Sequence, residues 1–451
     1  MGACPENAAG RTDPVGDGGY IGCHGWSVPR QCGDERAGDG WMTAFAAPVQ
    51  SRETSGWDDR PVLATIATAV FVWALLITTF DTFGFASTYV SRTRELMTFY
   101  VVMAVVVSAL PWRRWTTTTK WLIGAFLVQV VVGFAFWSAQ DGSRIAINYW
   151  SQWLLALAFL LLGLTFYRAC WWLWGPIIIG YALVIAGVCL TGLLFWHSPP
   201  AQLNGPAEFY GDRPVGAPAA LMMVLGLVLA AGEGRLSSRV RTAVVVVLGA
   251  TVVLAQHRSV WIALLVALVL LMWDGKRRGV SFRQMTGFLA VAAFFVLSAV
   301  MPVLTPWSIL PSGPSAQAGP SLPDSFESVG TFSWRLDMWE SRLTQSRSLM
   351  EWLTGGMWGP TPVWGPGSSV MNPTISSHSM LVDLLSMLGL LGLGVFVVLF
   401  LRATAYRWLV PPVLPICLIA TAAFGFFYAW PSWAWVFLGA GLSARGDADV
   451  P

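Results

Sequence analysis

Long apolar runs recur along this chain from residue 61 almost to its end, and they constrain the fold more than any other feature. A run of about 20 mostly apolar residues has the length that crosses a bilayer as an α-helix. Spans 240–255 and 259–273 are almost contiguous, so they form either a tight helical hairpin or a pair in which one helix is broken. The sequence predicts an all-α polytopic transmembrane helical bundle of about 12 spans, at 61–80, 96–112, 121–138, 151–167, 171–196, 217–232, 240–255, 259–273, 285–305, 379–401, 409–430 and 432–444.

Composition supports the same class. Apolar residues make up 55% of the 451 residues and charged residues only 11%, whereas an average soluble domain is about a quarter charged. So few charges cannot cover the surface of a soluble chain of this length. The net charge of +3 argues against a nucleic-acid-binding protein. None of the 6 cysteines falls in a CxxC pair, so we predict neither a zinc site nor a disulfide framework.

The N-terminal stretch differs from the rest of the chain. Residues 1–60 are polar, rich in Gly, Asp and Arg, and lack the early apolar region of a signal peptide. We therefore predict a disordered cytoplasmic tail over 1–60, a transmembrane domain over 61–445 and a cytoplasmic C-terminus over 446–451. Met42 is a hypothetical alternative start, because the chain after it leads directly into the first span.

Basic residues give the orientation of the spans. Lys and Arg concentrate in alternate short loops, for example at Arg113, Arg114 and Lys276-Arg277-Arg278. Cytoplasmic loops carry such an excess. Both termini of this multi-pass plasma-membrane protein are then cytoplasmic, and the long loop 306–378 is extracytoplasmic.

The first polar motif on the predicted outer face is Gln256-His257-Arg258-Ser259-Val260-Trp261, which opens a span. An arginine at the mouth of an apolar helix is costly on this side unless it is paired or used. Arg258 is therefore either a functional cation or a side chain that snorkels to lipid headgroups.

The second motif lies within the long loop and runs from Trp334 to Arg342. Helical spacing places Arg335, Trp339 and Arg342 on one face, which predicts an amphipathic segment at the membrane surface. Its tryptophans either anchor the segment there or contact a substrate. Gly355-Gly356 follows, which predicts a turn that returns the chain toward the site.

The third motif, Ser376-Ser377-His378-Ser379, opens the span 379–401. Gly389 and Gly392 are predicted to face one side of that helix and to permit close packing. Asp383 lies five residues after His378 in the sequence, which is roughly 140° around a helix. It cannot orient His378 from the same face, and our hypothesis is that it pairs with an arginine of another helix.

Together these motifs point to anion chemistry beside a bilayer. Arginine binds phosphate through two hydrogen bonds and keeps its charge, and histidine takes a proton from a hydroxyl near neutral pH. The outer carboxylates are scattered singly, so we predict no metal site and no other cofactor. The inner loops contain no Walker A sequence and no GxGxxG after a strand, which argues against a nucleotide-driven pump.

The three motifs, in this order and on the predicted outer face, resemble those of the O-antigen ligase family, which also includes polysaccharide polymerases. The resemblance covers roughly 210–402. It includes the loop Tyr210-Gly211-Asp212-Arg213-Pro214, although Ala217-Pro218-Ala219-Ala220 departs from the asparagine-containing ending of that loop in the family.

The resemblance implies a GT-C-like membrane glycosyltransferase. Members of the family transfer a glycan from an undecaprenyl-diphosphate donor to an acceptor hydroxyl of a glycan, lipid or protein. By that analogy Arg258 and Arg335 bind the diphosphate and His378 activates the acceptor hydroxyl. Further substrate contacts are expected from Arg213, Trp339 and Arg342. The analogy leaves open whether the chain is a ligase or a polymerase.

Two other classes compete with this interpretation. A multi-span transporter or lipid-linked glycan flippase would carry ionisable or broken-helix sites near the midplane, often in repeated halves. Here the polar candidates cluster at the outer mouth and only Asp383 lies deeper. A non-catalytic assembly or sensory membrane protein is opposed only by the outer-face motifs.

Overall fold

The structure is a computed structural model. It describes residues 61–80, 88–109, 115–141, 143–195, 215–233, 236–255, 257–277, 339, 343, 348–355, 379–405 and 413–445. All of them lie in one unit of the chain, 41–451. The predicted tail 1–60, the predicted span 285–305, most of the loop 306–378 and the C-terminus 446–451 lie outside the described residues.

Every regular element in these ranges is a helix, which confirms the all-α class. A 3₁₀ helix, Ser432–Ala434, precedes the last α-helix. The α-helices are α1 (Pro61–Phe80), α2 (Thr88–Ala109), α3 (Thr117–Asp141), α4 (Ser143–Phe195), α5 (Ala217–Gly232), α6 (Ser238–Leu254), α7 (Arg258–Arg277), α8 (Leu349–Thr354), α9 (Met380–Ala405), α10 (Val413–Phe427) and α11 (Trp435–Arg445).

Among the described residues, three helical segments are long and apolar enough to cross a membrane, namely Thr117–Ala135, Gln152–Gly192 and Met380–Thr404. Shorter apolar helical stretches of 10–17 residues are Pro61–Ile77, Leu96–Ala109, Ala217–Gly232, Ser259–Trp273, Val413–Phe427 and Ser432–Ala444. These segments support an integral membrane protein. The count of about 12 spans remains a prediction.

One helix, α4, runs through both predicted spans 151–167 and 171–196. Its 53 residues would extend about 80 Å if straight, well beyond the ~30 Å hydrocarbon core. Pro176 lies inside α4, where a proline removes a backbone N–H and kinks the helix. The structure therefore has one helix where the sequence predicted two.

The almost contiguous spans 240–255 and 259–273 correspond to two separate helices, α6 and α7. The side chain of Ser237 accepts a hydrogen bond from the N–H of Val240 and so caps the beginning of α6. Across the joint with α7, the indole Nε1–H of Trp261 donates to the carbonyl of Val252 at 3.1 Å. The alternative in which one of the two helices is broken is excluded.

Close backbone contact holds α4 against α11. A Cβ built on Gly163 of α4 would collide with the carbonyl of Val436, and one on Gly439 of α11 would collide with the carbonyl of Leu160. Small residues let membrane helices approach in this way. Beside this contact is a cluster of aromatic rings in edge or tilted contact, formed by Phe126, Trp153, Phe396, Trp430 and Trp435.

Helix α9 is not continuous. Gly389 has φ 67° and ψ −174°, which breaks the helix between two helical halves. Gly389 permits close packing as predicted, since a Cβ there would collide with the carbonyl of Leu353 on α8, but the assumption that the helix is unbroken at this residue is wrong. Gly392 also permits close packing, because a Cβ there would lie 3.2 Å from Cγ of Gln129 on α3.

Contacts between helix ends show which ends lie on the same side of the bundle. His257, just before α7, contacts Val215, just before α5, so α5 and α7 begin side by side. The other end of α5 meets the beginning of α10, where a Cβ on Gly232 would collide with the side chain of Val413. The beginning of α10 thus lies at the end of α5, away from the beginning of α7. Since α7 packs along α10, the beginning of α7 lies toward the C-terminal end of α10.

The beginning of α9 lies at that same end of α10. The N–H of Met380 donates to the carbonyl of Tyr428 at 3.2 Å, one residue after α10 ends. We call the place where α5, α7 and α9 begin and α10 ends the junction, and define it by Val215, His257, Met380 and Tyr428. His257 belongs to the first predicted motif, and Met380 directly follows the third motif in the sequence.

Candidate functional site

A buried histidine joins two segments of the junction. His257 is 7% exposed, and its Nε2 lies 2.6 Å from the carbonyl oxygen of Val215. A carbonyl can only accept, so Nε2 carries the proton and donates. His257 precedes Arg258, and Val215 follows Arg213 by two residues. The bond therefore fixes the backbone beside two of the arginines predicted from the sequence.

A tryptophan of the long loop reaches the junction. The ring of Trp339 lies 6.2 Å from the ring of Phe426, centroid to centroid, at 86°. Such an edge-to-face contact adds stability beyond the apolar area it buries. Phe426 belongs to the last turn of α10, so Trp339 lies at the end of α10 where α9 begins. Trp339 and Leu343 both have helical backbone, as the amphipathic pattern of this segment predicts.

The predicted site residues are described to different extents. Arg258 is the first residue of α7, and only its backbone is described. Trp339 is described with its side chain and lies at the junction. The remaining four, Arg213, Arg335, Arg342 and His378, lie outside the described residues.

The first turns of α9 carry a buried polar face. Ser379, Asp383 and Ser386 are 2%, 6% and 2% exposed. Their spacing of four and then three residues places them on one side of the helix. The hydroxyl of Ser386 donates to the carbonyl of Val382 at 2.6 Å. The sequence analysis did not predict this face, although the spacing of the three residues indicates it.

A second feature that was not predicted is a polar bridge deeper in the bundle. The side-chain Nε2 of Gln129, on α3, donates to the carbonyls of Thr354 and Leu388 at 2.7 Å each. Gln129 is 7% exposed. We call this arrangement the glutamine bridge. It joins the middle of α3 to the end of α8 and to the break in α9.

Two glycines meet beside the glutamine bridge. Gly355 ends α8 with φ 76°, and Gly389 breaks α9 with φ 67°. A Cβ on Gly355 would collide with the carbonyl of Met387, and a Cβ on Gly389 would collide with the carbonyl of Leu353. Both conformation and space therefore require glycine at these two positions. Gly355 ends α8, and Gly356, the second residue of the predicted turn, lies outside the described residues.

Comparison with known proteins gives one family. Residues 243–397 match the model of a family described as O-antigen ligase. The matched segment is about a third of the chain, and it runs from the first turns of α6 to beyond the break in α9. Comparison with curated proteins gave no match.

Proposed function

We propose that this chain is a membrane glycosyltransferase, because residues 243–397 match the model of the O-antigen ligase family. It transfers a glycan from an undecaprenyl-diphosphate donor to an acceptor hydroxyl at the outer face of the plasma membrane. In this proposal the fold is a GT-C-like bundle of about 12 spans, with both termini in the cytoplasm and the junction outside.

One observation carries the proposal. The matched segment contains Arg258, Arg335 and His378, the three residues predicted from the sequence to have the central roles. Close neighbours of each in the sequence, namely His257, Trp339 and Met380, lie where the same helix ends meet. A residue within or next to each of three motifs that are far apart in the sequence thus lies at the junction.

The proposed reaction is a direct displacement. The acceptor hydroxyl oxygen attacks the anomeric carbon of the donor, and the bond from that carbon to the diphosphate oxygen breaks. The electron pair of the broken bond leaves with the diphosphate. His378 takes the hydroxyl proton, a role that contributes about 10²–10⁴ in rate for a general base. Attack from the face opposite the leaving group inverts the anomeric configuration.

The arginines serve the leaving group in this proposal. Arg258 and Arg335 bind the diphosphate and stabilise the charge that develops on it, since a guanidinium matches phosphate oxygens with paired N–H donors. Diphosphate leaves readily, so no general acid is required. We expect transfer to need neither a divalent metal nor a nucleotide. Arg213, Arg342 and Trp339 supply further substrate contacts.

The test is reconstitution of the full chain in liposomes with an undecaprenyl-diphosphate oligosaccharide. We expect glycan transfer that persists in EDTA, and a loss of about 100-fold or more in Arg258→Ala and His378→Ala. Matched controls are Arg239→Ala, at the opposite end of α6 from the junction, and His24→Ala in the N-terminal stretch. Both should retain wild-type turnover.

Three results would each contradict a specific part of the proposal. Donor that crosses the bilayer without glycan transfer would indicate a flippase. Loss of activity in EDTA would exclude the metal-free mechanism. Full turnover in His378→Ala would exclude His378 as the general base. Offering a lipid-linked repeat and a lipid or protein acceptor in parallel distinguishes a polymerase from a ligase.

A further inference from the structure

A glutamine in the middle of an apolar helix needs its hydrogen-bonding groups satisfied. Gln129 lies within Thr117–Ala135, one of the segments long enough to span a membrane. Unsatisfied polar groups are costly at that depth. Its amide nitrogen has two hydrogens, and both are used, one on Thr354 and one on Leu388. Both N–H groups of the Gln129 side chain therefore donate to specific backbone carbonyls.

Both carbonyls lie where a helix ends or is interrupted. Leu388 is the last residue before the break in α9, and Thr354 is the last residue of α8. Carbonyls in the last turn of a helix have no intrahelical donor. Gln129 thus donates one hydrogen bond to the end of α8 and one to the residue before the break in α9.

The contact between Gly355 and Gly389 fixes the position of α8 relative to α9. Backbone meets backbone at Gly355 and Gly389, and a Cβ on either would collide with the other element. Such a contact cannot be adjusted by side-chain rotation, so sliding α8 along α9 would break both the contact and the glutamine bridge. A capping box between Ser348 and Glu351 fixes the other end of α8.

The position of α8 sets that of the chain before it. Trp339 contacts Phe426 at the end of α10, while Thr354 and Gly355 are held about nine residues into α9, roughly 13 Å from its beginning. The chain 339–355 is thus anchored at the junction and again deep in the bundle. Arg335, which binds the diphosphate in the proposed function, precedes Trp339 by four residues in the sequence.

We propose that Gln129 is a positioning residue for glycan transfer. By fixing the depth of α8, the glutamine bridge holds the chain that carries Trp339 in register with the beginnings of α7 and α9. Gln129 touches no substrate in this proposal, which rests on the proposed function. The competing explanation is that the glutamine bridge only stabilises the bundle.

The experiment combines a distance measurement with kinetics on the full chain in nanodiscs. Spin labels at Leu343→Cys and Leu401→Cys, in a background without the native cysteines, report the distance from the loop segment to the distal half of α9. The test variants are Gln129→Leu, which removes the hydrogen-bond donor of the glutamine bridge, and Gly355→Ala, which disrupts the backbone contact beside it. Their matched controls are Thr118→Leu, an exposed polar position on the same helix α3, and Gly394→Ala, where a Cβ meets open space.

We expect a single narrow distance in the wild type and in both controls. Gln129→Leu and Gly355→Ala should broaden it, raise KM for the donor and lower kcat/KM about 100-fold, because a shift of about 1 Å at a reacting centre costs this much. Since two independent variants are used, failure of one to fold leaves the other to decide.

An unchanged distance in both test variants would refute the proposal. So would a broadened distance with wild-type KM and kcat, which would mean that the bridge only stabilises the bundle. A wild-type chain that transfers no glycan would instead overturn the proposed function and, with it, the kinetic role of Gln129. In that case the distance alone would show whether the bridge fixes the segment.

Discussion

His257 donates from Nε2 to the carbonyl of Val215 across 2.6 Å, and this bond joins the beginnings of α5 and α7. Replacing His257 by Phe keeps a ring but removes the donor, so the buried carbonyl is left unsatisfied at a cost of about 1–3 kcal/mol. We expect the melting temperature in detergent to fall and transfer to slow about tenfold or more, because the backbone beside Arg258 shifts.

The control for this prediction is His257→Gln. Its amide N–H can still donate to the carbonyl of Val215, so most of the stability and turnover should return. If His257→Phe and His257→Gln were equally active, the bond would have no role in positioning the arginine motifs.

The contact between Trp339 and Phe426 predicts a graded response to substitution. Trp339→Ala removes the ring that packs edge-on against Phe426 and should lower donor affinity about tenfold, since an aromatic pair contributes about 0.5–1.5 kcal/mol beyond area burial. Trp339→Phe keeps a ring and should lose less. The measurement is KM for the donor in liposomes.

Trp121→Ala is the matched control, because Trp121 is 75% exposed on α3 and belongs to no predicted motif. Its KM should equal that of the wild type. Equal losses in Trp121→Ala and Trp339→Ala would show that the effect is a general consequence of removing a tryptophan.

The sequence predicts the helices of this protein well because apolar length alone determines them. Runs near 20 residues have few alternatives in a bilayer, and the described helices other than α8 coincide with predicted spans along most of their length. The prediction of two spans where the structure has the single helix α4 was wrong for a local reason. The charge of Arg168 indicates a cytoplasmic loop between the two predicted spans, whereas the structure continues the helix through this residue.

The break in α9 and the glutamine bridge could not be predicted from local sequence. Gly389 looks like any glycine in a membrane helix, and its φ of 67° becomes favourable only when α8 packs against it. Likewise, nothing near Gln129 in the sequence identifies the carbonyl of Thr354, which is 225 residues away. These features depend on tertiary contacts, whereas the buried face of Ser379, Asp383 and Ser386 was already present in the spacing.

The positive φ of Gly389 leads to a prediction about stability. Alanine there must adopt φ 67° and ψ −174°, a backbone region essentially restricted to glycine that costs roughly 1–3 kcal/mol, and its Cβ would also collide with Leu353. We expect Gly389→Ala to lower the free energy of unfolding in detergent by more than about 2 kcal/mol. Gly394→Ala, five residues along the same helix and in open space, should leave it equal or higher. Similar values for the two variants would show that α9 can straighten at little cost.

The orientation of the bundle is tested by labelling single cysteines in intact cells. Leu343 and Arg239 are both exposed, the first on the segment that meets the junction and the second at the end of α6 away from it. In a background without native cysteines, Leu343→Cys should react with a membrane-impermeant maleimide added outside, whereas Arg239→Cys should react only after permeabilisation. The excess of basic residues in the loops on the side of Arg239 is the physical reason for this expectation. The reverse pattern would place the junction in the cytoplasm, and chemistry on an outward-facing undecaprenyl-diphosphate donor would then be impossible there.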